Sequence, residues 1–249
     1  MSHPLERGAA WYATWFDTPY YHLLYANRDE AEARQFIRHL IDFIQPSPQA
    51  RFLDLACGRG RHSIFLHQLG YNTTGVDLSQ QSIAFAQQHL KTGLDFQVHD
   101  MREVFRPQGF EMVFNLFTSF GYFDDPADNL KVLKAVRENL VTDGCFILDF
   151  FNAHWVKKHI PHEARVVRED IIFHTSKRWN GQQIVKTIEF KDRGRSYTFQ
   201  ENVTAFTLAE FERLFQESGF RILHIFGDYT LGSYQEATSD RLILVVQPT

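Results

Sequence analysis

Between residues 51 and 152 the chain alternates short apolar runs with segments whose apolar residues recur at helical spacing, and this alternation restricts the fold more than any other feature. RFLDLA, YNTTGVD, LDFQVHD, FEMVFNLF and DGCFILDFF read as strands, several apolar enough to be covered on both faces, as strands of a parallel sheet are. Between them, residues 61 to 69 read as a short helix, and Ser79 caps a helix with Ile83, Ala86 and Leu90 on one face. Asp125-Pro126 supplies an N-cap and a first-turn proline to a helix whose Leu130, Leu133, Val136 and Leu140 share a stripe. Strand followed by helix, repeated, implies an α/β fold with a doubly wound parallel sheet.

Two segments depart from that rhythm. The first, residues 9 to 44, is aromatic and helical in pattern, and Pro46 and Pro48 end it before the first strand. From Ala164 to Ala205 the residues alternate in the strand period, with Asn180-Gly181 as a hairpin signal, which predicts an antiparallel insertion. Thr207-Leu208-Ala209-Glu210 then opens a helix with a capping box, and that helix ends at Ser218-Gly219. Two further strands, FRILHIFGD and RLILVVQ, make seven in the main sheet. The expected units are residues 1–45, an N-terminal helical lid; 46–152, the nucleoside-binding core; 153–205, the antiparallel cap; and 206–249, the completion of the core sheet.

Bulk properties remove several function classes. Lysine and arginine are scattered in a chain of net charge -4, so there is no basic stripe and nucleic acid is not an expected partner. Cys57 and Cys145 lie in apolar strand-like surroundings and read as buried reduced thiols. No His, Cys and acid spacing reads as a metal site, so no metal is expected. No basic and then apolar leader opens the chain, and no apolar run is long enough for a membrane span, so the expected location is cytoplasmic with no membrane partner.

The chemistry concentrates at Asp54-Leu-Ala-Cys-Gly58-Arg-Gly60-Arg61-His62, where a strand gives way to a helix. A glycine-rich turn there lets a ligand approach the backbone and aims helix N-terminal N–H groups at an acceptor. Asp77 ends the second strand, where a carboxylate can accept both hydroxyls of a ribose. Asp100 ends the third strand, where it or the neighbouring backbone can face an adenine amino group. Three acids at three consecutive strand ends describe a nucleoside site.

In these residues the chain resembles the class I S-adenosylmethionine (SAM)-dependent methyltransferases, whose Rossmann-like fold has an acid and a glycine-rich turn after strand one and further acids after strands two and three. The likeness covers residues 51 to 152 and, in topology, 206 to 247. It implies that Asp54 and the Gly58-Gly60 turn lie near the methionine end of SAM, that Asp77 holds the ribose and that Asp100 with Met101 flanks the adenine. The implied cofactor set is Asp54, Ala56, Gly58, Gly60, Arg61, Asp77, Leu78, Asp100, Met101 and Asn115. Ala56 departs from the family pattern, which has glycine there. The rival cofactor NAD needs a third glycine where this chain has Ser63.

The resemblance implies methyl transfer to a small molecule, leaving S-adenosylhomocysteine (SAH). Residues 115 to 123 lack the Pro-Pro-aromatic tetrapeptide of amino-group DNA methylases and the Pro-Cys nucleophile of cytosine-C5 enzymes. The insertion resembles in position that of small-molecule N-methyltransferases, where it covers the site or joins two subunits of a homodimer. In-line positioning can supply roughly 7–11 kcal/mol. An amine acceptor needs no strong base, whereas a hydroxyl or carbon acceptor does. Candidate catalytic residues are His22, Tyr21 and Tyr122, with Asn152 as a group to orient substrate. Tyrosine and tryptophan fill Trp11 to Arg28 on more than one helical face, as suits a lid that is apolar toward a ligand and wet outside. The alternatives are a SAM-binding protein without transferase activity and a methylase acting on RNA or protein.

Overall fold

The computed structural model describes residues 10–26 and 30–249, so residues 1–9 and 27–29 of the expected lid lie outside the described residues. Helices α1 (Trp11–Trp15), α2 (Pro19–Leu24) and α3 (Glu30–Ile44) precede β1 (Arg51–Leu55). Then follow α4 (Arg61–Gln68), β2 (Asn72–Asp77), α5 (Gln80–Ala86), β3 (Leu94–Val98), β4 (Phe110–Asn115), α6 (Pro126–Asn139) and β5 (Leu140–Phe151). A short helix, α7 (Ala153–Lys158), leads into β6 (His162–Arg168), β7 (Ile171–Trp179), β8 (Gln183–Asp192) and β9 (Arg195–Thr204). The chain closes with α8 (Leu208–Ser218), β10 (Phe220–Phe226) and β11 (Arg241–Pro248).

The main sheet has seven strands in the order β10-β11-β5-β4-β1-β2-β3. β11 runs antiparallel to both of its neighbours, and the other pairings are parallel. Alternate residues of each central strand enter opposite layers. Leu53 and Leu55, Phe146, Leu148 and Phe150, and Leu242, Leu244 and Val246 pack with α6 and α8 through Leu133, Val136, Phe211 and Phe215. Phe52, Ile147, Ile243 and Val245 pack on the other side with α3 and α4 through Phe36, Leu40, Phe65 and Leu66. Burial on both faces explains why the strands read as continuous apolar runs rather than alternating ones.

Helix ends follow their caps. Ser79, Asp125 and Thr207 accept hydrogen bonds from the first-turn N–H groups of α5, α6 and α8, and Thr207 with Glu210 forms the capping box. Two expected stripe residues fall outside their helices. α5 stops at Ala86 and gives way to a 3-10 turn, leaving Leu90 half exposed on an extended residue. Leu140 caps α6 and begins β5, which therefore starts before Asp143.

The expected insertion is a second, four-stranded antiparallel sheet in the order β6-β7-β8-β9. One face of it carries Ile171, Phe173, Ile188 and Phe190, and these residues share a core with Trp15 and Leu24. The expected N-terminal unit thus divides by packing. α1 and α2 lie on the insertion sheet, whereas α3 buries Phe36, Ile37 and Leu40 against the main sheet.

Candidate active site

The strands β1, β2 and β3 run parallel, so their C-terminal ends meet at one edge, and the turns after them open on a cavity of about 420 Å³. That volume lies within the range of small-molecule and cofactor sites. Its floor begins with the turn after β1. Ala56, Gly58 and Gly60 all have positive φ, 57°, 56° and 81°, which explains the glycine-rich sequence and makes Ala56 the strained member. A Cβ on Gly60 would meet the Phe96 ring at 2.5 Å, so Gly60 is fixed by packing beneath the site. A Cβ on Gly58 would meet nothing within 4 Å, and Gly58 lines the cavity: the turn presents bare backbone to open space, as close approach by a cofactor requires.

Asp77 joins this turn to the next. Its Oδ2 accepts from the Gly58 N–H at 2.8 Å and its Oδ1 from the Ser79 N–H at 2.8 Å, which leaves lone pairs on both oxygens for two hydroxyls. Burial pushes its carboxyl pKa up against those two hydrogen bonds. Asp54 sits behind the turn rather than on the cavity wall, 1% exposed, with Oδ2 accepting the Ser63 hydroxyl at 2.6 Å. Burial pushes its pKa up to about 7. Ser63 fits there because Gly75 on β2 has no side chain, since a Cβ on Gly75 would lie 2.7 Å from Ser63 Oγ. Close helix-to-strand packing is thus obtained from the strand side, at a residue that the sequence motif does not include.

Asp100 and Met101 line the third wall. Arg102 forks onto both Asp100 oxygens, at 2.6 to 3.1 Å, and reaches Asp128 at 2.6 Å. Burial raises the Asp100 pKa, but the Arg102 hydrogen bonds and charge outweigh it and hold the carboxyl below its usual range. Of the remaining cofactor candidates, Arg61 and Leu78 line the cavity. Asn115 is 1% exposed and instead ties β1 to the following loop, donating to Leu55 O at 3.3 Å and Ser119 O at 3.2 Å.

The opposite wall is aromatic. Tyr12, Phe16, Tyr21 and Tyr25 from α1, α2 and their ends face Phe117, Tyr122 and Phe123 from the loop after β4. Tyr122 lies 5.4 Å from the Phe16 ring and 5.2 Å from the Trp11 ring, and its hydroxyl donates to Thr118 O. Tyr25 donates to Glu201 Oε1 at 2.7 Å and accepts from Lys186. His22 lines the same cavity, with Nε2 3.5 Å from Ser82 Oγ at the start of α5. Asp17, between α1 and α2, accepts from the Ser79 hydroxyl at 2.6 Å and the Gln81 N–H at 3.1 Å. The N-terminal segment is therefore fastened to the insertion by Glu201 and to the start of α5 by Asp17. Asn152 does not join the site: it is 1% exposed, caps α7 through the His154 N–H, and does not line the cavity.

Residues 46–218 match the methyltransferase domain family. The chain belongs to that family. Its curated relatives include YqeM of Bacillus subtilis (strain 168), 28% identical over 80% of this chain and 84% of that protein. The dTDP-3-amino-3,4,6-trideoxy-alpha-D-glucopyranose N,N-dimethyltransferase of Streptomyces venezuelae is 26% identical over 83% of this chain and 91% of its own. A SAM-dependent methyltransferase from Clostridium acetobutylicum ATCC 824 shares the fold with a TM-score of 0.77 at 21% identity, covering 92% of this chain and 96% of that one. It is therefore a methyltransferase, with SAM as its cofactor. Among the described residues no cluster of His, Cys, Asp and Glu is arranged to hold a metal. Among the described residues no helix is long and apolar enough to cross a membrane.

Sequence reasoning found the glycine turn and the strand-end acids because each is a local motif. It did not find Asp17, Ser79 and Ser82 as one network, or Phe117, because these meet only when the N-terminal helices fold back over strand ends far along the chain.

Proposed function

We propose that the enzyme N-methylates a neutral amine on a sugar-like small molecule, with the acceptor held in the aromatic chamber opposite the Gly58 turn. The observation that carries this reading is the chamber itself: rings of Tyr12, Phe16, Tyr21, Tyr122 and Phe123 converge, and the hydroxyls of Tyr122 and Tyr25 are bonded back into the protein. When bound, SAM supplies a methyl group already activated on a sulfonium, and the positive charge passes to the acceptor nitrogen. Ring faces stabilise a cation by about 0.5–2 kcal/mol each, so they favour the charged product amine, whereas a hydroxyl acceptor would need a base to remove its proton. Tyr21 and Tyr122 would act by contact and orientation, and His22, directed at Ser82, by closing the cofactor edge. Asp77 would hold the ribose, with Met101 and the backbone beside Asp100 along the adenine. The relatives named for amino-sugar dimethylation support the same acceptor class.

In this reading residues 1–45 serve partly as a lid, 46–152 with 206–249 as the cofactor core, and 153–205 as a cap that also offers a homodimer surface. Two unpaired cysteines fit a cytoplasmic setting in which thiols stay reduced. The test incubates the purified enzyme with methyl-labelled SAM and a matched pair of nucleotide-linked sugars, one bearing an amine and the other a hydroxyl at the same carbon. Label in the amine sugar, rising to two methyls per molecule, is the expected result. Label in the hydroxyl sugar alone would overturn the proposal.

A further inference from the structure

Behind the aromatic chamber lies a buried ion pair outside the cavity wall. Asp149, in the apolar run of β5, is fully buried, and its Oδ1 accepts from Arg241 Nε at 2.9 Å and Nη2 at 2.6 Å. The turn after β4 is wrapped around this pair. Asp149 Oδ2 accepts the Phe117 N–H at 2.8 Å, Asp149 O accepts the Thr118 N–H at 3.0 Å, and Arg241 Nη2 donates to Thr118 Oγ1 at 3.1 Å. Phe117 and Thr118 both adopt left-handed backbone, with φ of 58° and 64°, a conformation that side-chain-bearing residues hold only when their surroundings enforce it.

The turn touches both halves of the site. The Phe117 ring stacks on His62 at 4.9 Å and lies 4.5 Å from the Arg61 guanidinium, against the first turn of α4 that follows Gly58 and Gly60. The Thr118 carbonyl accepts the hydroxyl of Tyr122, whose ring forms the acceptor wall. We infer that Asp149 and Arg241 are positioning residues: they hold the Phe117-Thr118 turn left-handed, and through it set the methionine end of the cofactor site and the acceptor wall together. A buried ion pair is often replaceable by apolar residues with no loss of stability, so stability alone gives little reason for this one. Its hydrogen bonds to a strained turn give it a task that an apolar pair cannot perform. The inference goes beyond the proposed acceptor chemistry and rests on the placement of the cofactor at the Gly58 turn.

The test replaces the pair in the full chain with Asp149→Leu/Arg241→Met and reads two quantities: SAH affinity by calorimetry, and residue-resolved amide hydrogen exchange. The expected result is a folded protein in which the Phe117 and Thr118 amides exchange more than tenfold faster while Phe114 and Ile147 are unchanged, and SAH binds about tenfold more weakly. Adding Thr118→Gly, which removes the steric bar to the left-handed conformation, should recover most of the lost affinity, a rescue that a merely structural pair would not allow. Native SAH affinity with native protection of Phe117 and Thr118 overturns the inference, and so does a triple variant no better than the double. If the double variant does not fold, Arg241→Lys decides with the same readouts. That variant keeps the charge and loses the fork, so about threefold weaker SAH binding and faster exchange are expected, and no change in either overturns the inference. A wild-type chain that fails to bind SAH would count against the cofactor site, and the exchange readout would still judge the ion pair.

Discussion

At the scale of single residues, the turn after β1 makes the sharpest expectations. Ala56 holds a φ of 57° that glycine adopts without strain, a difference worth roughly 1 kcal/mol. Ala56→Gly should therefore raise the Tm by about 2–4 °C in a chain of this size, and a fall in Tm would contradict the strain. Asp77→Ala should weaken SAH binding by roughly 10- to 150-fold, from a charge-assisted hydrogen bond worth about 1.5–3 kcal/mol, with the fold retained. Calorimetry showing native affinity would place the nucleoside elsewhere. Asp54 gives the pH expectation. Burial holds its carboxyl pKa near 7 in the folded chain, against about 3.9 when unfolded, so the folded chain binds that proton more tightly. Its contribution is full below pH about 4 and is lost as pH rises to about 7. The Tm of Asp54→Asn should accordingly gain on the wild type between those values and level off above, whereas a pH-independent difference would show that Asp54 ionises freely in the fold.

Among the elements, those whose signal is local were legible in the chain. β1, β4 and β5 were readable because burial on both faces leaves apolar runs, and α6 and α8 because Asp125-Pro126 and Thr207 with Glu210 mark their starts. Elements set by packing were not. The unit 1–45 joined α1 and α2, which pack on the insertion sheet, to α3, which packs on the main one. The Arg193-Gly194 hairpin, with φ of 47° and 75°, went unread because arginine is an unusual residue in left-handed backbone. The lone acid within CFILDFF was not read as having a buried partner, because Arg241 is 92 residues away and only the placement of β11 beside β5 joins them. The lid also yields an expectation at this scale. Asp17 is the hydrogen-bonded link from the α1–α2 turn to the first turn of α5. Asp17→Ala should raise the SAH dissociation rate by roughly 3- to 10-fold, with stability changed by no more than about 0.5–1 kcal/mol. An unchanged off-rate in stopped-flow displacement would mean that the segment does not gate the cofactor. Deleting α1 and α2 outright is a poorer test, because Trp15 is fully buried in the core of the insertion.

Over the whole molecule, the strand-end acids were legible because they are local, whereas the chamber was not, because it draws rings from α1, α2 and the loop after β4. Those parts assemble into one arrangement: the parallel sheet presents the turns after β1, β2 and β3, a second sheet carries the N-terminal rings beside them, and in the proposed reading the acceptor lies between. The central claim is that this arrangement methylates a neutral amine by positioning, without a base of its own. The pH dependence of kcat/KM, measured with two amino-sugar acceptors whose amines differ in pKa, tests that claim most directly. Activity should rise with pH as each free amine deprotonates, and the midpoint should move with the pKa of the acceptor. A rising limb fixed at one pH for both acceptors would reveal a titrating base on the enzyme and contradict the claim.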